Sequence, residues 1–256
     1  MKKRLSVNLN KKNVGDIVKT PSGSLIVGTY EGSFTEELRK IDTVSGGHLK
    51  KLRKLGELKG KLGEGNYLPA LPGVRAQRTY IVGCGKKGKK LSRQDCVRIL
   101  EKMVSAAISS GAPNAFISIP RLNVLGEGDD WIIKQIAFLC ENNSYTYDAK
   151  LNKKNQKKIL LKKVSLTINS SASLNKLKEG IKIGQAIGRG SNVAKDLGNL
   201  PGNVCTPTYL AKESRSAARK YSSLNCSVFG EKEMKKMGMD CLLSVGAGSA
   251  EESKLI

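Results

Sequence analysis

Short apolar runs alternate with longer amphipathic segments through the first two-thirds of the chain. SLIVGTY at residues 24–30 reads as a strand. SFTEELRKID then opens a helix, with Ser33 as the expected N-cap and Glu36 three residues on, the spacing of a capping box. GGHLKKLRKL extends the helical region. TYIVGCG at 79–85 is a short apolar run ended by glycine, which predicts a buried strand. Residues 92–110 give the clearest helical pattern. Cys96, Leu100, Met103 and Ala107 share a face with Val97, Val104 and Ile108; Ser92 caps the start and Gly111 the end. NAFISIP predicts another strand, DDWIIKQIAFLCEN another amphipathic helix, and KKVSLTIN at 162–169 the next strand. This βαβα alternation predicts an α/β domain with a largely buried, mixed or parallel sheet.

Residues 173–197 read as one long helix with Leu177, Ile181, Gly184, Ile187 and Gly188 on one side. Glycine inside a helix costs about 1 kcal/mol relative to alanine. Gly180, Gly184, Gly188 and Gly190 therefore predict close packing against another backbone, or a kink. In KDLGNLPGNVCTPTYLAKES the helix ends near Gly198. A tight Asn-Leu-Pro-Gly-Asn turn follows, and Thr206 caps a new helix with Pro207 at its first position. Near the end, the apolar stretch at 242–245 reads as the start of something buried. Lys254, Leu255 and Ile256 read as the opening of a further apolar segment.

Composition changes the picture in three ways. No apolar run approaches the ~20 residues of a membrane helix, and the basic start MKKRLSVNLNKKN lacks an apolar stretch of signal-peptide length. The expectation is a cytoplasmic protein without a membrane partner. The six cysteines form no C-x-x-C pair and read as buried free thiols in a reducing compartment. The formal charge of +23 raises a nucleic-acid or acidic partner. Against it, 34 of the 45 basic residues are lysine, and base readout leans on arginine. The lysine-rich run at 150–163 reads as a solvated loop before a strand.

Candidate chemistry is sparse. GCGKKGKK at 83–90 nearly matches a phosphate-binding loop, with Gly83, Gly88 and Lys89 in place. Lys90 stands where a magnesium-holding Ser or Thr belongs, so a plain βα turn is the reading. The single histidine, His48, sits among lysines with no acid at i+3 or i+4 and reads as a surface helix residue. The acids Asp129 and Asp130 suit a helix N-terminus electrostatically.

AKDLGNLPGN at 194–203 and TPTYLA at 206–211 resemble the A-K-D-L-x-N-x-P-x-N and P-x-x-L-A segments of the leucyl (cytosol) aminopeptidase family. VFGEKEMKKMGMDCLLSVGAGS is similar to that family's short strand, MK-x-x-GM helix and L-x-x-V-G-x-GS segment. GELKGKLGE and YIVGCGK look like its amino-terminal domain. The resemblance spans about residues 24–256. It implies a macro-like α/β amino-terminal domain at 1–170, a connecting helix at 171–198, and at 199–256 the incomplete start of a catalytic peptidase domain. It also implies a cytoplasmic homohexamer that hydrolyses the first peptide bond of peptide substrates with two divalent metals, zinc or manganese. The family's metal motifs, G-K-G-x-x-F-D-[ST]-G-G and N-T-D-A-E-G-R, are absent from these 256 residues. No catalytic, metal or cofactor-binding residue is therefore assigned, no metal is expected on this chain alone, and the chain by itself is expected to be inactive. Two other readings compete. One is a stand-alone basic binding module for nucleic acid or a phosphorylated ligand. The other is an inactive regulatory paralogue that joins hexamers.

Overall fold

A computed structural model describes residues 5–10, 17–147 and 159–256. The chain divides into two compact units, residues 1–192 and 193–256. The first is built on one six-stranded sheet. Its strands are β1 (Ser6–Leu9), β2 (Ser24–Glu31), β3 (Gly65–Pro69), β4 (Arg78–Lys86), β5 (Asn114–Ile119) and β6 (Lys163–Ile168), in the spatial order β1-β6-β5-β2-β4-β3. Only the edge strand β3 runs antiparallel, against β4. The sheet is thus mixed and largely parallel, as the alternating pattern predicts.

Side chains alternate between two cores because successive residues of a strand face opposite sides. Leu25, Val27, Ile81 and Phe116 enter one core with Leu38 and Ile41 of α1 (Glu36–Val44) and Leu49 of α2 (His48–Lys54). Ile26, Val82, Ile117 and Val164 enter the other. There they meet α3 (Arg93–Ser109), α4 (Asp129–Asn143) and the first half of α5 (Leu174–Asn199). Burial on both faces explains why the central strands read as unbroken apolar runs.

Several local expectations are corrected. The cap of α1 is Thr35, not Ser33: its hydroxyl accepts from the Leu38 N–H at 3.3 Å and donates to the Gly28 carbonyl at 2.9 Å. Ser33 is instead held by backbone pairing with Tyr30. Gly46 and Gly47, both at positive φ, break the helical region into α1 and α2. Ser92 caps α3 as expected, accepting from the Asp95 N–H at 3.0 Å. Of the lysine-rich run, residues 150–158 lie outside the described residues.

Helix α5 shows what its glycines are for. Leu177, Gly180, Ile181, Gly184 and Gly188 form its buried stripe, while Ile187, expected on that side, is half exposed. A Cβ at Gly184 would lie 3.0 Å from both Ala137 Cβ and the Phe138 nitrogen, and would collide with the Lys134 carbonyl. The backbones of α4 and α5 therefore touch. Buried Glu141 of α4 fixes the contact: Gln185 and Asn192 donate to it at 3.2 and 3.0 Å, and Arg189 stands 3.8 Å away. Gly184→Ala adds a methyl where backbone oxygen cannot yield. Overpacking against backbone, about 1–3 kcal/mol, outweighs the ~1 kcal/mol helix-propensity gain. Gly190, with nothing within 4 Å of its Cβ position, has only the gain. Denaturation of the two variants is expected to move the midpoint in opposite directions, down for Gly184→Ala and up for Gly190→Ala.

The second unit carries α6 (Pro207–Lys220), α7 (Glu231–Lys236) and α8 (Asp240–Gly246). Thr206 caps α6, accepting from the Tyr209 N–H at 3.2 Å, with Pro207 at the first position. Ala211 and Met234 are its buried apolar side chains, and Phe229 pairs with Leu255 through two backbone hydrogen bonds. The apolar stretch at 242–245, expected to be buried, forms α8 with no buried residue: Leu242 is 43% and Val245 88% exposed. No helix among the described residues is long and apolar enough to cross a membrane.

Candidate functional site

The topology of the first unit places a cleft at the carboxyl ends of its parallel strands. From β2 the chain moves outward to β4. It then crosses back over β2 to β5 and continues to β6. The segments that follow β2 and β5 therefore depart to opposite faces, α1 into one core and α4 into the other. In open α/β sheets such a reversal leaves a crevice outside the strand ends, where ligands bind. Here a cavity of about 470 Å³ occupies that position. Tyr30 comes from the end of β2, Lys86, Lys87 and Lys89 from the β4–α3 turn, and Arg121 and Asp129 from the β5–α4 segment.

The walls are tied together locally. The Tyr30 hydroxyl donates to the Arg121 carbonyl at 2.6 Å, joining the end of β2 to the segment after β5. Burial, reinforced by Cys84 and the Glu37 charge, pushes the Tyr30 phenol up to about 12, so it stays a donor. Leu91 joins the two loops: its N–H donates to the Asn123 carbonyl at 2.7 Å, and its own carbonyl accepts from the Leu125 N–H at 3.0 Å. The Arg93–Glu127 pair at 2.6 Å closes the same junction from outside. Beneath Tyr30, Arg53 stacks 3.8 Å from the Phe34 ring centre and donates from Nη2 to Thr29 Oγ1 at 3.0 Å and to the Tyr30 carbonyl at 3.3 Å. The near match to a phosphate loop is split by the fold. Gly83 lies inside β4, where a Cβ would collide with the Lys61 carbonyl, and only residues 86–89 form a turn.

The other sequence candidates do not converge. His48 is exposed at the start of α2, as expected. The six cysteines are free, and the expectation of burial holds for only three of them: Cys84, Cys96 and Cys140 are buried in the first unit, Cys205 and Cys226 are half-buried, and Cys241 is exposed. Asp129 and Asp130 occupy the first turn of α4, and Asp130 is drawn to Lys176 at 3.4 Å. In the second unit a shallow groove holds Lys212, Arg215, Glu233, Glu252 and Lys254. Its acids are engaged: Glu233 accepts from the Gly230 N–H at 2.8 Å, and Glu252 from Lys254 and the Glu231 N–H. The Lys254 hydrogen bond, with that N–H, holds the Glu252 carboxyl below its ordinary range. Among the described residues no three His, Cys, Asp or Glu side chains come together to hold a metal ion.

Comparison with known proteins supplies the family. Residues 26–154 match the "Cytosol aminopeptidase family, N-terminal domain", and residues 192–256 match the catalytic domain of the same family. The chain belongs to the cytosol aminopeptidase family. A "Probable cytosol aminopeptidase" of Nitrosococcus oceani is 37% identical over 239 residues, covering 93% of this chain and 48% of the relative. One from Halorhodospira halophila is 31% identical over 251 residues, covering 96% and 49%. The chain thus spans about half the length of the curated cytosol aminopeptidases it matches. Among solved structures, a tomato leucine aminopeptidase mutant superposes with a TM-score of 0.80 at 21% identity, over 98% of this chain and 49% of that one. The bottromycin maturation enzyme BotP gives 0.67 at 19%, over 91% and 45%. At these identities the likeness establishes the leucine aminopeptidase fold.

Sequence reading missed the cleft as a unit. Lys86, Lys87 and Lys89 stood in the GCGKKGKK segment and Asp129 read only as an acid at a helix start, while Tyr30 and Arg121 carry no local signature. They meet the lysines only because β4 and β5 flank β2, a pairing of distant segments.

Proposed function

We propose that the protein is a metal-dependent leucyl-type aminopeptidase, removing the first residue from peptides with a free amine. What carries the reading is the succession of two domains of one family along a single chain, amino-terminal at 26–154 and catalytic at 192–256. The proposed division is a macro-like domain to residue 170, a connecting helix over 171–198 and the opening of the catalytic domain from 199. The proposed setting is a homohexamer in the cytoplasm. Two divalent ions, zinc or manganese, are the proposed cofactors of the whole enzyme; BotP, a neighbour in fold, is known in complex with Mn. The described residues do not fit such a centre, since no three candidate ligands converge. The metal-binding residues of the proposed centre are therefore sought outside these described residues.

The test reads the gene through the codon for Ile256 and expresses whatever frame follows. The longer product is expected to release p-nitroaniline from leucine p-nitroanilide, to stop on chelation, and to recover with manganese or zinc. The 256-residue chain is expected to show no chelator-sensitive turnover. A longer product carrying both family metal motifs and remaining inert would overturn the peptidase reading. Turnover by the short chain would overturn the absence of catalytic residues from it.

A further inference from the structure

We infer that the cleft at the ends of β2, β4 and β5 is a binding site for a small phosphorylated molecule. Its lining brings four cations, Lys86, Lys87, Lys89 and Arg121, against one carboxylate, Asp129. The cations come from two loops more than thirty residues apart in sequence, so no local run of lysines accounts for them. Among the described residues none of the four is engaged in an ion pair. This contrasts with the groove of the second unit, where Lys254 is paired with Glu252.

Position and size select the ligand class. The cavity lies at the strand reversal, where α/β sheets place their ligands. A volume of about 470 Å³ falls in the range of small-molecule sites. The shape is held from below by buried Tyr30 and by the Leu91 bridge, so the cations surround a preformed space. Gly88, at a φ of 78° with nothing within 4 Å of its Cβ position, gives the Lys86–Lys89 turn an open crest. Phosphate is the group that four unpaired cations around a small cavity complement, with Arg121 able to contribute two parallel donors.

The inference is independent of the peptidase reading, because it concerns equilibrium binding by this chain and no turnover. Inorganic pyrophosphate is titrated into the 256-residue protein at constant ionic strength and followed by calorimetry. Saturable binding to one site is expected. Each variant removes charge-assisted hydrogen bonds to the anion, so Arg121→Ala and the double variant Lys86→Ala/Lys89→Ala are each expected to weaken it about tenfold or more. Arg121→Ala keeps the carbonyl that Tyr30 uses, so the wall stays in place. Asp129→Asn is expected to tighten binding. Lys235→Ala/Lys236→Ala, the same charge change on α7, is expected to leave it within about twofold. Absence of saturable binding overturns the inference, as does equal weakening by the α7 pair, which would mark diffuse surface charge. A single-stranded DNA oligonucleotide that displaces pyrophosphate, with affinity falling steeply in salt, overturns it in favour of a nucleic-acid track.

Discussion

Phe116→Ala is expected to lower the stability of the first unit by about 3–5 kcal/mol, the range for removing a buried aromatic ring. Phe116 is 2% exposed on β5, which is paired on both sides, by β2 and β6. Its ring shares a core with Leu25, Val27, Ile81, Leu38 and Leu49, so it fills the space between the sheet and both α1 and α2. Neither side can collapse freely into the cavity, because a parallel sheet and two helices bound it. A domain has roughly 5–15 kcal/mol in total, so the variant retains a small margin or none. Tyr67→Ala is the comparison: Tyr67 lies on the edge strand β3, half exposed, with its ring 4.9 Å from Tyr80. Its cost is expected to stay near 1 kcal/mol. Urea midpoints at unchanged m-value measure both. Equal losses would mean that the core against α1 and α2 is not what the ring supports.

The contrast between Phe116 and Tyr67 is also the contrast between what could and could not be read from the chain. β2, β4, β5 and β6 are buried on both faces, and burial on both faces writes an apolar run. β1 and β3 are short edge strands. SVNL and GNYLP alternate or expose their side chains, which leaves no run to see. Caps were half legible: Ser92 and Thr206 stand alone before their helices, whereas Ser33 and Thr35 compete. The competition is decided by Gly28, whose carbonyl takes the Thr35 hydroxyl across the strand end. The glycines of α5 gave the opposite lesson. Their cost in a helix predicted a close backbone or a kink; α4 is that backbone for Gly180, Gly184 and Gly188, while Gly190 faces open space. At the other end of the chain, apolar character at 242–245 predicted burial that α8 does not have within residues 193–256. Apolar composition states what a segment would gain from a partner. It does not state that one is supplied.

The same limit governs the cleft. A lysine-rich turn is ordinary, and the charge of +23 spreads over the whole sequence. What distinguishes Lys86, Lys87 and Lys89 is Arg121 opposite them and a carboxylate count of one. That juxtaposition follows from the strand order, which local periodicity leaves open. The family resemblance is most specific from residue 194 onward, and its amino-terminal segments GELKGKLGE and YIVGCGK say nothing of the charge that faces Lys86 across the cleft.

Raising the pH from 8.5 to 10 is expected to remove about 4 kcal/mol of stability from the first unit, through three buried thiols. Burial pushes Cys84, Cys96 and Cys140 each from an ordinary 9.0 up to about 12. Neighbours adjust this: a backbone hydrogen bond at Thr29 lowers Cys84 slightly, and the Glu141 charge raises Cys140 further. The folded state therefore keeps its protons where the unfolded state has lost them. The stabilisation is complete below about pH 9 and is lost as pH rises toward 12. Within that window each thiol costs a factor of ten in the folding constant per pH unit, so three together approach a thousandfold. Tyr30, raised from 10.0 to about 12, joins only above pH 10. The measurement is urea unfolding at half-unit steps from pH 8 to 10.5 under reducing conditions. Cys140→Ala, at a site with no exposure, is expected to reduce the slope by one proton while lowering stability at pH 8 only modestly. An unchanged slope in that variant would assign the alkaline loss to other groups. The direction matters for any redox role as well. A thiol held protonated to pH 12 has almost no thiolate at neutral pH, and thiolate is the species that attacks a disulfide or binds a metal. Cys84 lines the cleft, yet these pKa values make it part of the wall rather than a nucleophile there.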